Sequence, residues 1–91
     1  MTKSILITGC STGIGYTCAH ALKQRGFHVI ASCRNEQDVI KLQQEGLDCI
    51  QLDLNNEQSI ERGVEQAFKL APNGLYAVFN NGAYGQPGAL E

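Results

Sequence analysis

The sequence predicts an α/β fold with a doubly wound parallel sheet, and two observations lead to this prediction. Four short apolar segments alternate with three segments whose apolar residues recur at helical spacing. A glycine-rich turn joins the first apolar segment to the first helical one. Alternation of this kind builds a parallel sheet covered by helices, and its crossovers are right-handed. We therefore expect the strand order 3-2-1-4, with two helices on one face and the third helix on the other.

The predicted strands are apolar runs bounded by turn residues, and they cover residues 4–8, 29–33, 49–54 and 75–80. The first is short and wholly apolar at its centre, which is typical of a buried strand. The third alternates apolar with polar residues, which suits an edge strand. Residues 81–91 contain three glycines and a proline, and we expect a loop there.

The predicted helices begin at Gly13, at residue 38 and at a capping box formed by Asn55 and Gln58. The first two end before Gly26 and Gly46, and the third ends at residues 72–74. The apolar residues predicted to face the sheet are Ile14, Cys18, Ala21 and Leu22 in the first helix, Val39 and Leu42 in the second, and Ile60, Val64, Ala67, Phe68 and Ala71 in the third.

Gly63 lies inside the third predicted helix, where glycine costs up to about 1 kcal/mol relative to alanine. Close packing of this helix on the sheet would explain the residue.

Composition and charge exclude several classes of protein. The 91 residues are 43% hydrophobic and 18% charged, which is typical of a globular domain. Seven basic and nine acidic residues are scattered along the chain, so we expect no nucleic-acid partner. No apolar run approaches the roughly 20 residues that span a bilayer, and no leader pattern follows Met1. We therefore expect a cytoplasmic protein without a membrane partner.

The cysteines and histidines do not form a metal-binding pattern. The four cysteines lack CxxC or Cys/His spacing and are expected to be reduced, buried or half-buried thiols. Cys10 lies inside the glycine-rich turn and would be sensitive to oxidation only if exposed. His20 and His28 are expected to have packing or surface roles, and no metal site is predicted.

The glycine-rich turn, TGCSTGIG, has the properties of a diphosphate-binding loop. Gly9 allows a tight turn, Gly13 lets the backbone approach phosphates without a Cβ in the way, and Gly15 permits close packing of helix on strand. The first-turn N–H groups and the positive end of the helix dipole would face the anion. The candidate ligand-binding residues of this loop are Gly9, Ser11, Thr12, Gly13, Ile14 and Gly15. A plain turn is the alternative interpretation of the glycines alone.

Two motifs give the chain a resemblance to a known family. Thr8, Gly9, Gly13 and Gly15 form TGxxxGxG, which differs from the general GxGxxG dinucleotide fingerprint. It resembles the cofactor loop of the short-chain dehydrogenase/reductase family. Residues 80–83 resemble that family's Asn-Asn-Ala-Gly segment with the last two residues exchanged. The resemblance implies that residues 1–91 are the N-terminal part of a single Rossmann-type NAD(P)-binding domain, truncated to about four strands and three helices.

The resemblance also implies roles for residues at the strand ends. Asp53 corresponds to a carboxylate that accepts a hydrogen bond from the adenine amino group, and the Leu54 N–H would contact the ring. Asn80, Asn81 and Gly82 would line the adenosine-ribose side. A simple polar residue at a strand end is the alternative for Asp53, and the exchanged order of Gly82 and its successor puts the detailed loop contacts in question.

Arg34, at the end of the second predicted strand, bears on the choice of cofactor. Sites that prefer NAD carry a carboxylate there, which holds the ribose 2′-hydroxyl and would repel a 2′-phosphate. A guanidinium can bind that phosphate through charge-assisted hydrogen bonds. Family members with arginine in this place prefer NADP(H), so we expect NADP(H) rather than NAD(H). A solvated surface arginine is the alternative.

The catalytic residues that the resemblance implies are not found in this sequence. The family uses a serine and a Tyr-x-x-x-Lys pair, whereas the residues four beyond Tyr16, Tyr76 and Tyr84 are histidine, asparagine and glycine. We therefore expect the cofactor-binding segment of a longer oxidoreductase, inactive by itself. Its parent would transfer hydride between the nicotinamide and a small carbonyl or alcohol substrate and could form a homo-oligomer. A non-catalytic nucleotide-binding module or redox sensor is the alternative.

Overall fold

The sheet is parallel and has the predicted strand order. The computed structural model describes residues 3–11, 13–53 and 55–79. Within these ranges the strands are β1 (Ser4–Ile7), β2 (His28–Cys33), β3 (Asp48–Gln51) and β4 (Ala77–Phe79). They pair in parallel in the order β3-β2-β1-β4. The prediction of a doubly wound α/β fold is confirmed.

The helices are α1 (Gly13–Gln24), α2 (Glu36–Gln44) and α3 (Glu57–Leu70). Gly26 and Gly46 follow α1 and α2 with φ angles of 96° and 92°. Glycine reaches this left-handed region without the steric cost that a Cβ imposes, so both helices end where the sequence predicts.

β3 is shorter than predicted, because the backbone turns toward α3 after Leu52. The Leu52 N–H still donates to the Cys33 carbonyl oxygen at 2.9 Å, whereas the Asp53 N–H donates to the Ser59 hydroxyl oxygen at 2.8 Å. The predicted strand 49–54 therefore ends at Gln51. The predicted strand 75–80 is likewise observed only over 77–79, and its last predicted residue, Asn80, lies outside the described part of the chain.

The predicted capping box is wrong by one residue. Asn56, not Asn55, caps α3, and its side-chain oxygen accepts from the Ser59 N–H at 3.1 Å. The Asn55 N–H instead donates to the Asp53 carboxylate at 3.0 Å. The helix begins at Glu57, so an N-cap that bonds the third helical residue has to be Asn56.

Two apolar layers cover the opposite faces of β1, β2 and β3, as predicted, whereas the residues of β4 are exposed. Residues of β1, β2 and β3 pack with α1 and α2 on one face, and the buried residues of this layer are Ile5, Ile7, Cys10, Ala19, Val29, Ala31, Cys33, Leu42, Leu47 and Cys49. The other layer joins the sheet to α3 through Leu6, Ile30, Ile50, Ala67 and Ala71. The split of helices between the faces is confirmed.

The predicted inward faces of α1 and α3 need correction. In α1 the buried residues are Gly15 and Ala19, whereas Ile14 is 68% exposed and Ala21 is exposed. In α3 Gly63 and Ala67 are buried, whereas Val64 and Phe68 are exposed. Both helices contact the sheet through small side chains, which allow a close approach, and larger apolar residues beside them stay outside the contact.

Gly63 is required by the packing of α3 on the sheet. A Cβ at this position would lie 2.6 Å from Leu52 Cδ1 and 3.4 Å from the Gln51 carbonyl oxygen. The first contact involves a side chain that is 9% exposed and has little room to move. Close packing therefore explains the glycine inside the helix.

Gly63→Val is expected to lower the free energy of unfolding by about 1–3 kcal/mol, because the added atoms overpack the interface between α3 and β3. Urea unfolding of the full-length protein would measure this loss. Glu65→Val is the control, since it places the same β-branched residue at an exposed position of the same helix. Equal stability of the two variants would contradict the packing explanation.

Candidate functional site

The carboxyl ends of β1, β2 and β3 bring three candidate binding elements to one edge of the sheet. The glycine-rich turn follows β1, Arg34 follows β2, and Asp53 follows β3. Parallel strands in this order place their ends side by side, and ligands of doubly wound folds bind at this edge. The predicted residues are therefore brought together by the sheet topology.

The glycine-rich turn is fixed to the strands on both sides of β1. The Thr8 N–H donates to the Phe79 carbonyl oxygen at 3.0 Å, and the Cys10 N–H donates to the Ser32 carbonyl oxygen at 2.9 Å. The Ser32 hydroxyl, in turn, donates to the Ile7 carbonyl oxygen at 2.9 Å. β2 and β4 thus hold the start of the turn, so the entry to α1 is positioned by the sheet itself.

Two glycines of this turn have the backbone conformation that its predicted role requires. Gly9 and Gly13 have φ angles of 67° and 69°, in the left-handed region. Among the described residues, and apart from its chain neighbours and the backbone of α1, no heavy atom lies within 4 Å of the position that a Cβ of Gly13 would occupy. Gly15 is buried, as expected for a residue that packs the helix on the sheet. The backbone at Gly13 therefore faces open space at the start of α1, where an anion can approach.

The remaining predicted residues of the turn differ in what the structure describes. Ser11 is half-buried, and the Ile14 side chain projects away from the core. Thr12 lies outside the described residues. So do Leu54, Asn80, Asn81 and Gly82, and their assigned roles remain predictions.

Cys10 is fully buried beneath the turn. Its thiol donates to the Ile7 carbonyl oxygen at 3.2 Å, and burial raises its pKa to about 11. A thiol with such a pKa is protonated at neutral pH and reacts slowly with oxidants. The condition for an oxidation-sensitive Cys10, an exposed side chain, is not met.

The other three cysteines are also buried or half-buried. Cys33 and Cys49 are buried on neighbouring strands with their sulfurs 3.8 Å apart. The hydrogen bond between them lowers the pKa of Cys33 and, together with burial, raises that of Cys49. Cys18 is half-buried, and all four cysteines are free, as predicted.

Arg34 presents its guanidinium at the edge of the sheet. The side chain is 71% exposed, and its Nε lies 3.8 Å from the Asp53 Oδ2 atom. The Arg34 carbonyl oxygen accepts a hydrogen bond from the Gln51 side-chain amide at 3.2 Å. The charged end of Arg34 is therefore accessible, while its backbone is held by the neighbouring strand.

Asp53 is held in place by hydrogen bonds with the residues at the start of α3. Its N–H donates to the Ser59 hydroxyl at 2.8 Å, and its carbonyl oxygen accepts from the Asn56 N–H at 3.0 Å. Its Oδ1 atom accepts from the Asn55 N–H at 3.0 Å, which leaves Oδ2 directed toward Arg34. The start of α3 thus orients this carboxylate toward the second and third strand ends.

Sequence reasoning missed the residues that hold Arg34 and Asp53 in place. Gln51 reaches Arg34 only because it pairs with Cys33 in the register of β2 and β3. The Ser59 contact depends on where α3 begins. Neither contact has a signature in residue spacing, although the polar pattern Asn-Asn-x-x-Ser at residues 55–59 is typical of a capped helix start.

The histidines have carboxylate partners that spacing in the sequence could not reveal. His20 Nε2 lies 2.8 Å from Glu45 Oε1, which also accepts from the Tyr16 hydroxyl at 2.9 Å. These hydrogen bonds, that from His20 first, lower the pKa of Glu45. His28 Nε2 lies 2.7 Å from Asp48 Oδ2. Across the described ranges no three metal-ligating side chains come together, and no helix there is long and apolar enough to cross a bilayer.

The family of the chain follows from comparison with known proteins. The family model for short chain dehydrogenase matches residues 3–91. The chain therefore belongs to the short-chain dehydrogenase family, whose Rossmann-type fold is the one described above.

Two curated relatives illustrate the similarity. The chain is 43% identical over 91 residues to the uncharacterized oxidoreductase YbbO of Escherichia coli K12, which covers all of this chain and 34% of the relative. It is 41% identical over 81 residues to the NADPH-dependent 1-acyldihydroxyacetone phosphate reductase of Schizosaccharomyces pombe, covering 87% of this chain and 27% of the relative. The chain spans between about a quarter and a third of the length of these relatives.

Solved structures agree on the fold. The chain superposes on a 3-ketoacyl-(acyl-carrier-protein) reductase from Brucella melitensis in complex with NADH, with a TM-score of 0.73 and 23% identity over 84% of this chain and 32% of that one. An actinorhodin polyketide ketoreductase variant with NADPH also gives a TM-score of 0.73 at 23% identity, covering 88% of this chain and 33% of that one. At this identity the likeness shows the Rossmann-type fold alone.

Proposed function

We propose that this chain is the N-terminal cofactor-binding segment of an NADP(H)-dependent short-chain oxidoreductase. The full-length protein would transfer hydride between the nicotinamide and the carbon of a small carbonyl or alcohol substrate. The observation that carries the proposal is that the Gly13 backbone and the exposed Arg34 guanidinium follow the carboxyl ends of two neighbouring parallel strands, β1 and β2. In NADP(H), the diphosphate would lie against the Gly13 backbone and the 2′-phosphate would bind the Arg34 guanidinium.

The residues at this edge fit such a cofactor. The left-handed Gly13 leaves no side chain between the turn and an approaching diphosphate, and the start of α1 contributes its dipole and first-turn N–H groups. Asp53 presents a carboxylate oxygen that can accept a hydrogen bond from the adenine amino group. Residues 1–91 would then form one part of a single NAD(P)-binding domain.

Preference for NADP(H) over NAD(H) is assigned to Arg34. A guanidinium forms charge-assisted, bidentate hydrogen bonds with a phosphate, and it has no comparable partner in NAD(H). A relative named as NADPH-dependent supports this choice, whereas the solved structures include complexes with NADH and with NADPH. The arginine is accessible, so it is available for this contact.

The chemistry of the reaction belongs to the cofactor, whose nicotinamide gives or accepts the hydride when bound. The described residues contribute binding and orientation. The turn holds the diphosphate, Arg34 holds the 2′-phosphate, and Asp53 holds the adenine, which together fix the adenosine end of the molecule. Proton transfer to the substrate would fall to residues beyond this segment.

We also propose that the full-length protein is cytoplasmic and acts on small molecules. It could form a homo-oligomer, and it has no nucleic-acid or membrane partner. A redox sensor, the alternative from the sequence, gains no support from the described residues, because Cys10 is buried with a raised pKa. The relatives are named as oxidoreductases and reductases, which also favours an enzyme.

The activity can be tested with the full-length protein and a panel of ketones and aldehydes. Loss of the absorbance of reduced nicotinamide is expected with at least one carbonyl compound, and it should be faster with NADPH than with NADH. The reverse reaction with the corresponding alcohol and oxidised cofactor is the check on hydride transfer. A protein that binds NADPH but turns over no carbonyl or alcohol would favour the non-catalytic module.

A further inference from the structure

We propose that Gln51 is a positioning residue for Arg34 and thereby helps to determine selectivity for the 2′-phosphate. This inference rests on the proposed function, because it concerns how the assigned phosphate-binding residue is held. Gln51 does not touch the cofactor in this account. It acts through one hydrogen bond to the Arg34 backbone.

The hydrogen bond ties the residue after β2 to the last residue of β3. Gln51 pairs with Cys33 in the register of the two strands, and the Leu52 N–H donates to the Cys33 carbonyl oxygen at 2.9 Å. The next carbonyl along β2 belongs to Arg34, and it accepts from the Gln51 side-chain Nε2 at 3.2 Å. Successive carbonyls of a regular strand point to opposite sides, as those of Ser32 and Cys33 do, so the Gln51 side chain bonds a carbonyl that the backbone ladder between β2 and β3 would not use.

The junction between Arg34 and α2 lacks a side-chain cap. Asn35 is the N-cap of α2, with φ −97° and ψ 138°, and its side chain makes no capping hydrogen bond. N-cap side chains usually fix this junction by accepting from the first helical turn. Because that contact is missing here, the hydrogen bond from Gln51 has more influence on the position of the junction between β2 and α2.

The guanidinium itself is only weakly restrained. It is 71% exposed, and its separation of 3.8 Å from Asp53 Oδ2 is too long for a hydrogen bond. Exposed ion pairs of this kind hold a side chain poorly. The direction in which Arg34 leaves the sheet is therefore set at its backbone, where Gln51 is bound.

The test replaces Gln51 by methionine, which has a similar length and cannot donate the hydrogen bond. Dissociation constants for NADPH and NADH are measured by titration of the full-length protein. We expect the dissociation constant for NADPH to rise roughly threefold to tenfold, as for loss of one hydrogen bond, with that for NADH unchanged. Gln51→Glu, which also lacks the donor and adds a negative charge near the phosphate, should weaken NADPH binding further.

Gln43→Met is the matched control. The Gln43 side-chain amide donates to the Cys49 carbonyl oxygen at 3.0 Å, so it makes the same type of contact, from a side-chain amide to a backbone carbonyl, and like Gln51 it ties β3 to a neighbouring element. It does not bond Arg34, and its loss should leave the ratio of the two dissociation constants unchanged. If the substitutions merely weakened β3, both variants would change the dissociation constants in the same way.

A double-mutant cycle separates this inference from the proposed function. In an Arg34→Ala background, Gln51→Met should no longer change NADPH binding, since the group that it positions is absent. If Arg34→Ala alters the ratio but Gln51→Met does not, the positioning role is wrong and the cofactor assignment stands. If Arg34→Ala leaves the ratio unchanged, the assignment of Arg34 itself fails.

Discussion

Arg34→Ala is expected to weaken NADPH binding by roughly tenfold to a hundredfold and to leave NADH binding almost unchanged. Charge-assisted hydrogen bonds contribute about 1.5–3 kcal/mol, which corresponds to one to two decades in affinity. Only NADPH carries the phosphate that makes these bonds. Truncation removes the guanidinium without touching the core, because the side chain is mostly exposed.

Separate titrations of the full-length protein with the two coenzymes would measure this effect. Arg25→Ala is the control, since Arg25 lies in the turn after α1, away from the carboxyl ends of the strands. It removes the same charge from the protein without removing the phosphate contact. Equal losses of NADPH and NADH affinity in Arg34→Ala would contradict the role given to this residue.

Gly13→Val is expected to weaken the binding of both coenzymes by about a hundredfold, equivalent to losing one or two charge-assisted hydrogen bonds to the diphosphate. The valine side chain would project away from the described residues at the start of α1, which place no atom within 4 Å of the Cβ apart from the neighbouring residues and the backbone of α1. A φ angle of 69° also strains a β-branched residue. The loss should be the same for NADPH and NADH, because both carry the diphosphate.

Gly74→Val separates the effect of backbone strain from the effect of a side chain that blocks the diphosphate. Gly74 has a φ angle of 93°, and a Cβ there would also meet nothing within 4 Å. It lies in the turn that leads into β4, at the opposite edge of the sheet from the glycine-rich turn. The backbone strain is therefore comparable and the ligand contact is absent. If Gly74→Val reduced coenzyme affinity as much as Gly13→Val, the diphosphate would not lie against Gly13.

The fold could be predicted from the sequence because its signals are local. Apolar runs define the strands, Gly26 and Gly46 end the helices, and right-handed crossovers then leave few possible strand orders. The same locality explains why Arg34 and Asp53 could be placed at one edge: each follows directly on a predicted strand. Their contact at 3.8 Å supports that placement.

The errors have physical causes too. In α1 the spacing of Ile14 suggested an inward face, but close contact with the sheet favours Gly15 and Ala19, which have the least side chain to accommodate. Two adjacent asparagines made the start of α3 ambiguous by one residue, and Asn56 is the N-cap while the Asn55 N–H donates to the Asp53 carboxylate. Helical periodicity shows that the apolar residues lie on one side of a helix. Which of the adjacent residues on that side pack against the sheet depends on the surface of the sheet.

The supporting contacts of the site were beyond sequence reasoning for a different reason. The bond from Gln51 to Arg34 exists because of the register between β2 and β3, and register is a property of the assembled sheet. A residue that bonds a neighbouring strand through its side chain has no distinctive spacing along the chain.

Equilibrium titration of the full-length protein with NADPH and with NADH tests the central claim most directly. We expect saturable binding of NADPH, with an affinity roughly tenfold or more above that for NADH, since one coenzyme engages both the glycine-rich turn and Arg34. Absence of saturable binding by a folded protein, or tighter binding of NADH, would contradict it.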